Sequence, residues 1–246
     1  MLIVGIDCST DPKKIGLAAA ERGRDSLEVT DLRAGGTFSE TREILSRWIS
    51  ESSACLLAFD SPLGWPAELG PSLVDHYAGD ALFLEANALF RRETDKTVRT
   101  EIGKQSLDVG ADRIARTARS TLGLIQDLRD LLKLPIPLAW STELAPGASA
   151  IEVYPAATLI GHSLRASGYK DSNRHTERIE ITAALAEKIE IGAPHLRLAE
   201  ENADLLDALV CVLAGDDFLR GDCVDPTNLG TARKEGWIWF RKPAPS

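Results

Sequence analysis

Two apolar runs that each stop at an acid constrain the fold of this chain more than any other feature. The first is Met1-Leu-Ile-Val-Gly-Ile-Asp-Cys-Ser-Thr10 and the second is Ala54-Cys-Leu-Leu-Ala-Phe-Asp-Ser-Pro62. Short apolar runs of this kind read as buried strands, and a carboxylate at the end of a core strand needs a cation, a donor or water. Between them, Ile44, Leu45, Trp48 and Ile49 fall on one face of a helix that Ser39 or Thr41 can cap and that ends near Ser52. A helix joining two strands makes a crossover, so the strands are expected to be parallel with their carboxyl ends on one edge. Asp7 and Asp60 then face one crevice.

Two further strands are expected after the first. Ile15-Gly-Leu-Ala-Ala-Ala20 follows the turn Asp11-Pro-Lys-Lys14, and Leu27-Glu-Val-Thr-Asp-Leu32 alternates apolar and polar residues. Short connections make an antiparallel meander. A fifth strand, Ala150-Ile-Glu-Val-Tyr-Pro155, carries Glu152 among apolar neighbours and stops at proline. From about 67 to 146 the pattern predicts a mostly helical insertion, with helices over Asp80 to Arg92 and over Ala111 to Leu132. Helices are expected again from Ala156 to Ser167, from Thr176 to Ile189, and from Ala203 to Gly215, with Gly168 to His175 a polar loop of no specific chemistry.

The expected architecture is α/β: one domain over 1–246 with a mixed five-stranded sheet flanked by helices, and the insertion at 67–146 between the fourth and fifth strands. Hydrophobic and charged contents of 44% and 26% suit a globular chain. No stretch approaches a membrane span and the first residues lack a signal-peptide pattern, so a cytoplasmic protein is expected. Cys8, Cys55, Cys211 and Cys223 are widely spaced, which argues against a zinc or disulfide framework.

The formal charge of −9 speaks against unspecific coating of nucleic acid, whose affinity comes mainly from cations on phosphates. From Arg91 to Arg119, however, eight bases face five acids. A nucleic-acid substrate could lie against that local basic surface. Within it, Arg91 and Arg92 could grip phosphate or a carboxylate bidentately, with Asp95 close behind. The oligomeric state stays open, a homodimer included.

The last strong signal is Asp204-Leu-Leu-Asp207. Three residues apart at a helix start, both carboxylates share one face, and close like charges call for a cation. Singly, each acid has a structural explanation: an Asx turn for Asp7, a favourable helix dipole for Asp204 and Asp207. Together, Asp7, Asp60, Glu152, Asp204 and Asp207 form the hard oxygen set that Mg²⁺ or Mn²⁺ prefers.

Element order and acids are similar to the ribonuclease H-like fold, and Asp204-Leu-Leu-Asp-Ala-Leu-Val-Cys211 resembles the closing helix of Holliday-junction resolvase relatives. More closely, Gly5-Ile-Asp7, Ala58-Phe-Asp-Ser-Pro-Leu-Gly64, Arg91-Arg-Glu-Thr-Asp95, Glu152-Val-Tyr-Pro155, Asp207-Ala-Leu209 and Glu235-Gly-Trp-Ile238 resemble the domain-of-unknown-function family 429, described as predicted ribonuclease H-like nucleases. That resemblance implies a divalent-metal-dependent nuclease or phosphodiesterase. It assigns Asp7, Asp60, Glu152 and Asp207 as catalytic and metal-binding groups, Asp204 as a further ligand, and Ser9, Arg91, Arg92 and Asp95 as substrate contacts. For Glu235 and Trp237 a packing or strand-pairing role is expected, in an apolar terminal strand. Two alternatives stand beside it. Gly5-Ile-Asp-Cys-Ser-Thr10 also resembles the first phosphate loop of actin-like sugar kinases, which implies phosphotransfer. A binding or scaffold protein on the same fold is the other.

Overall fold

The computed structural model describes residues 1–110, 112–144 and 146–242. In chain order its elements are β1 (Leu2–Asp7), β2 (Gly16–Arg22), β3 (Leu27–Ala34), α1 (Phe38–Ser50), β4 (Ala54–Asp60), α2 (Leu69–Leu73), α3 (Ala86–Phe90), α4 (Glu93–Ile102), α5 (Asp112–Leu132), β5 (Gly147–Glu152), α6 (Pro155–Gly161), α7 (His175–Ala186), α8 (Ala193–Glu201), α9 (Ala203–Arg220) and α10 (Leu229–Glu235).

The sheet runs β3-β2-β1-β4-β5. β1, β2 and β3 form the antiparallel meander, while β1, β4 and β5 are parallel, so the sheet is mixed and helices flank it. The parallel register sets Asp7 directly beside Asp60. Alternation along a strand then sorts side chains by face. Ile3 and Ala18 pack with Leu209 and Val212 of α9 on one side. Val4, Ile6, Leu57 and Phe59 pack on the other with Leu45 and Trp48 of α1 and Ile125 and Leu128 of α5. The carboxyl-terminal half of α5 thus closes the core.

α9 is buried along most of its length, from Leu205 to Phe218. It reaches the sheet because small residues clear its path. A Cβ on Gly5 would lie 2.0 Å from the Ala208 carbonyl oxygen, and one on Gly215 would lie 2.7 Å from Ile3 Cγ2. Backbone therefore rests on backbone where β1 crosses α9. Gly5→Ala is expected to lose stability at or beyond the upper end of the roughly 1–3 kcal/mol typical of overpacking, because neither backbone can yield. Urea unfolding checks this, and a loss below about 0.5 kcal/mol would show that α9 can lift.

Several local expectations are corrected. Thr37, not Ser39 or Thr41, caps α1 in a reciprocal capping box with Glu40, while buried Thr41 donates to the Gly35 carbonyl. A helix over 80–92 is confined to α3, because Leu82, Phe83 and Leu84 point to solvent and only Leu89 is buried; short helices need packing to persist. Ala111, the expected start of the next helix, lies outside the described residues. β5 begins earlier and ends at Glu152, and α6 stops at Gly161. The apolar terminal segment makes bridges rather than a strand: Ile238 pairs with Glu152, and the Trp239 amide donates to the Glu152 carbonyl at 2.9 Å. Among the described residues no helix is long and apolar enough to cross a membrane.

Candidate metal centre

Asp7 and Asp60 end neighbouring parallel strands and point to the α9 face of the sheet. Asp207, one turn into α9, comes down between them, and one carboxylate oxygen from each lies within 4.8 Å of the others. Gly16 lets α9 begin this close to β2, since a Cβ there would sit 2.1 Å from the Asp204 carbonyl oxygen. The tertiary contact thus builds the cluster from three distant stretches of chain.

The like charges are held at a cost that shows in their acidity. Burial first, then Asp207 and Asp60, push the Asp7 carboxyl well above its usual range. Burial likewise pushes Asp60 up to about 7, against the pull of Lys170. Asp204 stands outside the three, half-buried; burial and Asp207 raise it while Lys170 and Lys14 oppose them. These signs fix a pH dependence. A folded-state value above the unfolded one means that the folded chain holds its proton longer, so stability falls as pH climbs from about 4 through about 7. With tenfold in proton affinity worth about 1.4 kcal/mol, Asp60 alone makes the metal-free protein a few kcal/mol less stable at pH 8 than at pH 4, as an order of magnitude. Thermal melts in EDTA across that range check it; a flat or rising profile counts against the cluster.

Lys170 and Tyr169 complete the site, and sequence reasoning missed both. Lys170 Nζ lies 2.6 Å from Asp207 Oδ2, and the Tyr169 hydroxyl donates to Asp207 Oδ1 at 2.7 Å. Asp207 and Asp60 hold the Lys170 ammonium above its usual value although burial works against it. Both residues belong to the loop that looked chemically silent. The one available signal was Tyr169, a large ring in an otherwise polar stretch, which is buried and draws the loop onto α9.

Glu152 goes elsewhere. It pairs with Phe59, one position before Asp60, so it faces away from the three aspartates. There its two oxygens take Arg92 Nη1 and Nη2 at 2.8 and 2.7 Å, and the Leu63 amide adds a third bond. Arg92 is 1% exposed and all five of its donors are used, on Glu152, Asp95 and the Glu235 carbonyl. Asp95 also accepts from the Arg92 amide and Ser106. Arg92 and Asp95, expected to touch substrate, form a buried clamp that fastens α4 to β5, and Arg92 and Glu152 also line the cavity over Asp7 and Asp60. Glu235 belongs to the same clamp, accepting from the Ala67 and Glu93 amides, and Trp237 donates to the Val224 carbonyl. Arg91 pairs with Asp108, and Ser9 accepts from the Asp11 amide; neither lines the cavity beside Asp7 and Asp60.

That cavity, about 330 Å³, opens over Asp7 and Asp60 and reaches Ser106, Ile114, Tyr154 and Lys170. A family model matches residues 5–229, a span that contains the end of β1 with Asp7, all of β4 and α9, and every residue lining the cavity except Ile238. The chain belongs to the family described as "Protein of unknown function (DUF429)". A comparison with the curated proteins found no match. The DUF429 match takes in Asp7, Asp60 and Asp207 together with Tyr169 and Lys170, and ends at Leu229, before Glu235 and Trp237. The donor chemistry of the three carboxylates fits a hard divalent cation: all offer oxygen donors, two are pushed up first by burial and then by neighbouring carboxylates, and a lysine stands against the third.

Proposed function

We propose that this DUF429 protein is a divalent-metal-dependent phosphodiesterase of the ribonuclease H-like type, acting on nucleic-acid or nucleotide phosphodiester bonds. The observation that carries the reading is the convergence of Asp7, Asp60 and Asp207 on one edge of the sheet, with their charges opposed and a cavity above them. Asp7, Asp60 and Asp207 would hold Mg²⁺ or Mn²⁺, with Asp204 near enough to tune the charge. Such ions lower the pKa of bound water and stabilise charge on phosphoryl oxygens.

The chain's own residues account for the rest. Tyr169 fixes the rotamer of Asp207 by donating to one oxygen, leaving the other for exchange between Lys170 and a cation. Lys170, whose side chain is 62% exposed, is tethered only at its tip and can turn its ammonium from Asp207 to a phosphate oxygen. Asp60, raised to about 7 without a cation, gives up its proton when the ion binds, so metal uptake at this site is expected to release protons. The clamp of Arg92, Glu152 and Glu235 keeps the cavity roof in place from below.

The phosphotransfer alternative lacks the second glycine-rich adenosine motif that such kinases carry. The test is cleavage of phosphodiesters with Mg²⁺ or Mn²⁺ against an EDTA control. Products that need the metal support the reading, and turnover unaffected by EDTA, or none on any phosphodiester, would sink it.

A further inference from the structure

We propose that the site takes a nucleotide-sized phosphodiester, free or as the end of a chain, rather than the interior of a polynucleotide; this rests on the phosphodiesterase reading above. Three observations lead there. First, the space beside the acids is two small, half-open pockets. The cavity over Asp7 and Asp60, about 330 Å³, is lined by Ser106, Leu107 and Ile114 from the α4 to α5 region and by Tyr154, with Arg92 and Glu152 at its base. A second cleft of about 220 Å³ also borders Asp60 and carries Lys104. The two share Asp60, Tyr154 and Lys170. Volumes of this order sit at or below the lower end of small-molecule pockets, roughly 300–1,000 Å³.

Second, the two chambers differ in chemistry in the way the two sides of a nucleotide differ. Leu107, Ile114, Val153 and Ile238 make the first mostly apolar, suited to a flat base. Lys104 and Lys170 give the second two cations, suited to further anionic groups. A phosphate at the shared rim would meet Lys170 and the metal-binding acids together.

Third, three of the eight bases in the stretch that could track a polymer are engaged within the fold. Arg92 is buried on Glu152 and Asp95, Arg91 pairs with Asp108, and Arg99 donates to Gln105. A polymer reader neutralises many phosphates at once, whereas the protein as a whole is at −9. The segment before it, from Ala67 to Phe90, holds Glu68, Asp75, Asp80 and Glu85 and no Lys or Arg, so it would repel a passing backbone.

The experiment compares thymidine 5′-p-nitrophenyl phosphate with closed circular single- and double-stranded DNA and circular RNA, all with Mn²⁺. The small ester should be hydrolysed and the circles spared. Ile114→Trp, which fills the apolar chamber, should raise KM for the ester at least about tenfold, while Mn²⁺ binding measured by calorimetry stays as in wild type. An unchanged KM in Ile114→Trp overturns the placement of the base. If the ester resists hydrolysis the inference falls, whatever else is cut. Cleavage of the circles then leaves the phosphodiesterase reading standing, and failure on every substrate removes both. Circles cut as readily as the ester also overturn the inference alone.

Discussion

Asp7→Asn is expected to reduce metal-dependent cleavage by more than about 100-fold, since even partners behind a metal ligand cost roughly 10–100-fold when lost. The same change should make the metal-free protein more stable, not less. Burial and two neighbouring carboxylates oppose a charge at Asp7, so a neutral amide of the same shape relieves them. For a chain of this length each kcal/mol gained moves the melting midpoint by about 2–4 °C. Calorimetry with Mn²⁺ should show the opposite ordering, wild type gaining stability from the ion and the variant little or none. A variant that both cuts and responds to Mn²⁺ like wild type would remove Asp7 from the site. A variant that simply melts earlier in EDTA would show that the Asp7 charge is satisfied by something other than a cation.

Arg92→Ala should act on the fold. Its guanidinium is the centre of a buried network, and stripping one partner from a buried ion pair costs about 3–5 kcal/mol because the other charge is left without compensation. Here two acids, Glu152 and Asp95, would be stranded at 3% and 1% exposure, and the Glu235 carbonyl would lose a donor as well. Denaturant unfolding should therefore show a large loss, with a separate early transition if α4 comes away before the sheet does. Arg92→Lys keeps the charge but only three donors, and should fall between. If Arg92→Ala instead kept its stability and raised KM alone, Arg92 would be a substrate contact.

The sheet and two of the three clustered aspartates could be read from the chain because local signals and topology agree there. Asp7 and Asp60 each end an apolar run, the helix between them forces a parallel pair, and the parallel pair forces a common edge. Asp207 was visible as the second of two acids opening an apolar helix, although nothing local distinguishes it from Asp204; the docking of α9 on Gly5 and Gly16 does that. Glu152 shows what sequence leaves undecided. As a strand acid it looks the equal of the others, but a one-residue difference in register puts it on the opposite face. Arg92 was legible as a base with company, not as a buried one, because burial depends on Glu152 arriving from 60 positions away. Lys170 had no local signal at all, since its place is set by how Tyr169 seats the loop.

The contact of β1 with α9 at Gly5 carries a consequence for how any ligand of this site must behave. The three acids come from the first strand, the fourth strand and the ninth helix, so no excised fragment of the chain could bind what the whole does. Nor can the site open by fraying, because its parts are joined at the centre of the core and not at its margin. A bound ligand therefore works as a bolt between the first and last thirds of the molecule. Its full binding energy appears as resistance to global unfolding, and protection from hydrogen exchange should spread along β1 and α9 alike instead of staying beside the ligand.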